Sequence, residues 1–232
     1  MPTPRQSSKP KTDKAPEPAR RRAARIYKRL ETLYPDAHCA LIHRNPFELL
    51  VATILSAQCT DVLVNKVTPP LFAAMPTPEK MARANLADIE HHVSRVNFWR
   101  NKAKNLHAMA NMLVDEYDSQ VPQTMEDLVK LPGAARKTAN VVLGNAFNIN
   151  HGVVVDTHVG RIAKRFGLTT HDDPKKIERD LMARFPRKNW CMLSHLMIYH
   201  GRQVCKARHA LCADSALCRA YCSNAKAQLM DQ

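Results

Sequence analysis

Four cysteines crowd the end of the chain: Cys205, Cys212, Cys218 and Cys222, spaced C-x6-C-x5-C-x3-C. Four thiolates are the ligand set of a [4Fe–4S] cluster and also of structural zinc. The paired C-x2-C knuckle common at zinc sites is absent, which favours the cluster. The remaining cysteines, Cys39, Cys59 and Cys191, stand apart in apolar contexts and read as buried thiols. A second feature is the run Leu131-Pro132-Gly133-Ala134-Ala135-Arg136-Lys137-Thr138-Ala139. Gly133 supplies a residue tolerant of positive φ for a tight turn. The turn feeds a helix whose first backbone N–H groups lack internal partners, and such a helix start can hold a phosphate. The same run also describes an ordinary αα-hairpin. Lys137 and Asp156 complete the set that could do chemistry. Taken singly, they read as a solvated surface lysine and a helix cap worth about 1 kcal/mol.

The elements that position these residues are helical nearly throughout. Asn45 can cap a helix with Pro46 at its first position, running through Phe47, Leu50, Ile54 and Leu55. Asp61 can cap the next, and Thr77-Pro78 opens another. Ala103, Leu106, Ala110 and Leu113 follow the spacing of one buried helical face. Thr124 starts a short helix, Met125 to Lys130, and a helix from Arg136 to about Phe147 follows the Gly133 turn. Asp156 can cap a helix that Gly167 ends, Asp173-Pro174 opens another, and a last one spans roughly Asn189 to Gln203. Val153 to Val155 is a short strand-like run. The predicted class is all-α, with about ten helices.

Composition narrows the partners. The 232 residues carry 35 Lys and Arg against 21 Asp and Glu, a formal charge of +14. Such a field favours a polyanion. All six glycines lie at or after Gly133, and no GxGxxG or P-loop pattern is present. The longest apolar runs, such as Leu49 to Leu55, fall far short of the roughly 20 residues of a membrane span. Residues 1–25 hold 5 of the 15 prolines and 8 basic residues but no Ile, Leu, Val or Phe. A segment of that kind cannot bury enough surface to offset its ordering entropy. Residues 1–23 are therefore expected to form a disordered basic arm without the apolar stretch of a secretory signal.

Four blocks in order resemble the endonuclease III family of helix–hairpin–helix DNA glycosylases and AP lyases. They are Asn45-Pro46-Phe47-Glu48-Leu49-Leu50 with Leu55-Ser56-Ala57-Gln58-Cys59-Thr60-Asp61; the Leu131–Ala139 run, written LPGVGRKTA in the family; Val154-Val155-Asp156-Thr157-His158-Val159; and His200-Gly201-Arg202 before Cys205. The resemblance covers about residues 24–222. It implies a two-domain fold with a C-terminal iron–sulfur loop. One helical domain spans 39–150, and the other is built from 24–38 and 151–232.

The resemblance also implies an activity: base-excision repair of double-stranded DNA containing a damaged base or abasic site. Lys137 would be the amine that forms a Schiff base at C1′, and Asp156 the carboxylate beside it; oxidised pyrimidines would leave, and β-elimination would cut the strand. A start-of-helix position and burial would both lower the pKa of Lys137. Alternative readings are a catalytically weakened DNA-binding protein and a glycosylase with another base preference. Gly133, Ala135, Gln58, Phe98, His158 and Arg202 are the implied DNA contacts, with Gln58 filling the gap left by the extruded base and Phe98 acting as a wedge. Cys205, Cys212, Cys218 and Cys222 would hold a [4Fe–4S] cluster. A monomer in the bacterial cytoplasm, associated with the nucleoid, completes the expectation.

Three positions depart from the family pattern. Ala135 replaces the second hairpin glycine and is expected either to strain a positive φ or to sit already in the helix, which its good helix-forming neighbours favour. Asn97 replaces the glycine that opens the wedge loop, and asparagine tolerates the left-handed conformation. The family loop is C-x6-C-x2-C-x5-C, so Ser215 and Tyr221 stand where the third and fourth ligands would fall.

Overall fold

The computed structural model describes residues 18–208, 210–223 and 225. Among them are twelve α-helices, one short 3-10 turn at Arg187–Asn189 and no strand, as the all-α expectation requires. Val153–Val155 forms neither helix nor strand; the Val154 amide donates to Ser194 Oγ at 3.0 Å.

Two separate apolar clusters form. The first runs from Leu41 to Leu143 and collects α2 (Pro46–Ser56), α3 (Asp61–Ala74), α4 (Pro78–Ala82), α5 (Leu86–Val93), α6 (Trp99–Glu116), α7 (Met125–Leu128) and α8 (Arg136–Ala146). Every residue of α2 from Phe47 to Leu55 is buried, so this helix is the centre around which the others pack. Asn45 Oδ1 caps it by accepting from the Glu48 amide, with Pro46 behind the cap. On α6 the face Ala103, Leu106, Ala110 and Leu113 is fully buried, as its spacing predicts.

The second cluster combines Ala23–Ala37 with Val153–Ala225. Its helices are α1 (Ala19–Leu33), α9 (Thr157–Arg165), α10 (Pro174–Arg184), α11 (Trp190–Gln203) and α12 (Ala216–Tyr221). Asp156 caps α9 and Asp173 caps α10, and Gly167 at φ +64° ends α9. Two boundaries differ from expectation. The cap of α3 is Thr60, whose Oγ1 accepts from the Leu63 amide, and Asp61 is the first helical residue. The basic arm, expected to reach residue 23, gives way to helix at Ala19, and Ala23 is fully buried. The arginines make this start useful. Arg22 Nη2 donates to the carbonyls of Phe166 and Tyr221, and the guanidinium lies 5.0 Å from the Tyr221 ring centre. Residues 1–17 of the expected arm lie outside the described residues. No helix among the described residues is long and apolar enough to cross a membrane.

Polar ties join the clusters. Glu178 on α10 is almost wholly buried and accepts from Arg136 Nε and Nη2 and from Asn140 Nδ2, both on α8, at 3.1–3.2 Å. Arg136 can rehydrate when its partner is lost, but the buried Asn140 amide cannot. Glu178→Ala should therefore cost about 1–3 kcal/mol. Urea unfolding measures it, and an unchanged midpoint would remove Glu178 from the structural account.

Candidate active site

A cavity of about 230 Å³ opens between the clusters, with Lys137 from α8 and Asp156 from the start of α9 on its wall. The same two residues also border a neighbouring groove of about 670 Å³. They stand where the two spaces meet, contributed by different clusters. Asp156 is half-buried, and its Oδ1 accepts from the Val159 amide at 2.8 Å. Lys137 is exposed, so the burial expected from the sequence is absent. The second residue of α8 faces the open cleft rather than either core.

The turn ahead of α8 has Gly133 at φ +82°, and a Cβ there would come within 3.1–3.3 Å of Asn105 and Ile54. Ala135 satisfies neither expectation. It has φ −90° and ψ 172°, an extended residue at the N-cap position that any side chain tolerates. Its methyl offers no cap hydrogen bond, so the first N–H groups of α8 stay uncapped by a side chain at this position. The missing second glycine therefore introduces no backbone strain.

Gln58 and Phe98 are brought together by a device the sequence reading missed. Both are left-handed, with φ 54° and 58°, and both are exposed. Asn97 is not the left-handed residue; its Nδ2 donates to Gln58 O at 2.7 Å. Beneath them Lys102 is buried, and its Nζ donates to Leu55 O and Ala57 O at 2.8 and 2.7 Å. This ammonium satisfies carbonyls at the end of α2 and fixes the chain leading to Gln58, while burial lowers its pKa. The available signal was a lysine one turn before Leu106 on an otherwise apolar face.

Arg202 and His158 each have partners within the protein. Arg202 Nη2 donates to Asp61 Oδ2 at 2.5 Å, an ion pair spanning from α11 to α3. His158 packs on Gly201, where a Cβ would stand 2.8 Å from its Nδ1, and Arg161 Nη2 lies 3.1 Å from that same nitrogen. The half-buried imidazole lines the α9–α11 contact. Burial, reinforced by Arg161 and Arg202 and opposed by Asp156, lowers its pKa. The groove beyond Lys137 carries Arg161, Lys164 and Arg165 with Asp172, which Lys164 pairs.

The four C-terminal cysteines are all fully buried. Ser215 caps α12 by accepting from the Cys218 amide, so the helix starts one residue later and carries Cys218 and, at its end, Cys222. Their i, i+4 spacing puts both thiols on one face. This accounts for the altered cysteine pattern: Ser215 has become a cap, and Tyr221 is buried under Arg22 and Arg29. The Cys212, Cys218 and Cys222 thiols touch one another. Burial, reinforced by Cys222 and Cys205 and opposed by Cys218, pushes Cys212 up to about 11, and a hydrogen bond to Cys222 together with burial raises Cys218. Four thiolates in such a place need a compensating polycation. Arg165 Nη1 donates to Cys205 Sγ at 3.1 Å, and His200 Nε2 lies 3.2 Å from Cys218 Sγ while Tyr34 Oη meets its Nδ1. Donors aimed at sulfur are the surroundings that cluster thiolates require.

A profile of the HhH-GPD superfamily base excision DNA repair proteins matches residues 51–187. The chain belongs to this superfamily. Within it, endonuclease III of Synechocystis sp. is 50% identical over 208 residues, which cover 90% of this chain and 94% of that protein. A solved non-covalent endonuclease III–DNA complex superposes with TM-score 0.85 at 41% identity, covering 91% of this chain and 98% of that one. A trapped endonuclease III–DNA covalent intermediate gives the same score and identity over 90% and 98%. The superfamily assignment rests on the central residues, whereas these three likenesses extend over both clusters.

His195 on α11 lines the cavity, and burial, with His38 adding to it, holds its pKa down at about 4. The unfolded value is about 6.5. The unfolded chain therefore binds more protons between these values, so this contribution is complete above pH 6.5 and is lost as pH falls toward 4. Stability should drop on the order of 2 kcal/mol between pH 7 and 4.5 from this group. Urea midpoints at the two pH values should lie closer together in His195→Gln. An equal separation would mean that His195 does not titrate this way.

Proposed function

We propose that this base excision repair DNA glycosylase and AP lyase removes oxidised pyrimidines through a Schiff base on Lys137. The observation that carries the reading is the meeting of Lys137 and Asp156, from different clusters, at the mouth of one base-sized cavity. A base cannot react inside the stack, so the nucleotide must leave the duplex and enter such a space. The Asp156 carboxylate takes a proton from the Lys137 ammonium, and the free amine attacks C1′. The C1′–N bond breaks, and the base departs with the electron pair and takes up the proton held by Asp156; the adduct nitrogen then gives a proton to O4′ as the C1′–O4′ bond opens, leaving an iminium on Nζ. Loss of a C2′ proton then expels the 3′ phosphate, and water releases the lysine. Asp156 Oδ1 is held by the Val159 amide, which fixes the carboxylate while Oδ2 serves the reaction. The trapped covalent intermediate known for endonuclease III supports covalent chemistry here.

DNA partnership is supported by the net charge of +14, the basic groove and the endonuclease III–DNA complex. In this proposal the uncapped start of α8 holds a phosphate beside the lesion. Gly133 and Ala135 shape that start, Gln58 fills the vacated stack, and Phe98, 62% exposed, enters as a wedge. Arg202 exchanges Asp61 for phosphate, and His158 sets the α9–α11 contact behind Asp156. Cys205, Cys212, Cys218 and Cys222 hold a [4Fe–4S] cluster, whose role is structural: it supplies the positive charge that keeps four thiolates buried. The loop it fixes presents Lys206, Arg208 and Arg219. We place the enzyme in the bacterial cytoplasm, acting as a monomer on nucleoid DNA.

Borohydride trapping on DNA with an oxidised pyrimidine tests the chemistry. Lys137→Ala should lose the adduct while DNA affinity stays within about tenfold. Asp156→Asn keeps a capping oxygen but should lose at least about a hundredfold in excision. Adduct in the lysine variant, or wild-type excision in the asparagine variant, would sink the assignment.

The cluster has its own test. Purified protein should contain about four irons per chain and absorb broadly in the visible. Cys218→Ser or Cys222→Ser should bleach it and lower solubility. A colourless active protein containing zinc would refute the assignment.

A further inference from the structure

Most polar groups on the cavity wall already have partners. Thr53 Oγ1 donates to Leu49 O at 2.7 Å, and Ser56 Oγ donates to Thr53 O at 2.8 Å. Ser194 Oγ donates to Trp190 O and accepts from the Val154 amide. Asn145 Nδ2 donates to Val141 O at 2.7 Å, which fixes its amide and leaves Oδ1 as an acceptor. His195 Nε2 lies 2.7 Å from that Oδ1, so Nε2 must carry the proton. The tautomer follows: Nδ1 of the neutral ring holds a lone pair. Among the described residues Nδ1 has no hydrogen-bond partner, although His195 lines the cavity.

Thus one acceptor of fixed tautomer belongs to a residue that lines a space of about 230 Å³. That is below the roughly 300–1,000 Å³ of sites for drug-sized molecules and suits a single ring. The two thiols on this wall are held neutral, while the charged groups Lys137, Asp156, Asp61 and Arg202 also line the cavity. The Cys191 thiol is pushed up to about 11 by burial and Cys39, and Cys39 is itself raised by burial. Beside these thiols a neutral heterocycle is therefore preferred to a charged one.

We infer that His195 reads the extruded base, its Nδ1 accepting a hydrogen bond from a ring or exocyclic N–H on the pyrimidine edge, with Asn145 holding the ring in place. His195 is thus a specificity-determining residue, while Lys137 and Asp156 carry the bond changes. The inference rests on the glycosylase reading. It goes beyond that reading by separating two activities of one enzyme. Excision begins with a base in the cavity, whereas cleavage at a preformed abasic site has no base to read. A site built to accept an N–H also rejects an analogue that lacks it.

The test compares wild type and His195→Phe, which keeps a ring of similar size without nitrogen. Three duplexes are used: one with an oxidised thymine, one with its N3-methylated counterpart, and one with an abasic site. For wild type, N3-methylation should slow excision at least about tenfold. In His195→Phe, excision of the unmethylated base should fall about tenfold relative to abasic-site cleavage, and the methylation penalty should vanish. His195→Gln, which offers both a donor to Asn145 and an acceptor to the base, should recover part of the ratio.

Two outcomes overturn the inference. Equal loss of excision and abasic cleavage in His195→Phe, with Gln giving the same equal loss, would make the His195–Asn145 pair a strut between the clusters. A ratio and a methylation penalty both unchanged would mean that the base is read elsewhere. Wild type lacking both activities would instead overturn the glycosylase reading itself, and the inference with it.

Discussion

The placement of α8 against the second cluster is the constraint on which the site depends. Lys137 is bound to that helix, and Asp156 to another core. The tie that sets the register is Glu178 with Arg136 and Asn140. It replaces a continuous apolar interface with directional bonds. A greasy contact tolerates sliding, whereas a hydrogen bond weakens steeply with angle and distance. An ion pair of this kind adds little net stability over an apolar substitute, so its value here is in fixing geometry. That is what two reacting groups from separate bodies need, since small misplacements are costly in rate.

Helix α9 extends the same logic to the cysteine loop. Its first turn is capped by Asp156, and further along Arg161 Nε donates to Cys205 O at 2.9 Å while Arg165 reaches Cys205 Sγ and Lys206 O. Gly201 lets α11 approach closely enough for His158 to fill the gap. The carboxylate and the loop are thus two ends of one rigid element. Order in the loop, supplied by whatever neutralises its thiols, reaches Asp156 through backbone and guanidinium contacts.

Opposite this rigid side, the surface of the first cluster carries two left-handed residues on one small platform. Gln58 and Phe98 adopt a conformation that non-glycine residues seldom choose. The strain is tolerable because Lys102 and Asn97 hold the backbone from below and from the side. In the proposed function, a backbone constrained in advance lowers the entropy lost when these exposed side chains enter the duplex.

The local part of this arrangement was legible in the chain. Asn45-Pro46, Thr77-Pro78 and Asp173-Pro174 announce helix starts because a cap acts within three residues of itself. Gly133 announces a turn because only its own φ matters. The four cysteines and the blocks around Lys137 and Asp156 mark, by type and order, the residues on which the proposed chemistry rests. The sequence could not place Ala135 at an extended cap, since that depends on how the hairpin closes on Asn105 and Ile54. Nor could it show Lys102 buried on the carbonyls at the end of α2, Arg161 on Cys205, Glu178 beneath Arg136 or His195 against Asn145. These pairs lie 42 to 50 residues apart along the chain. Their bonds exist only after two cores have packed and removed water from the groups concerned, and that desolvation is a property of the tertiary structure alone.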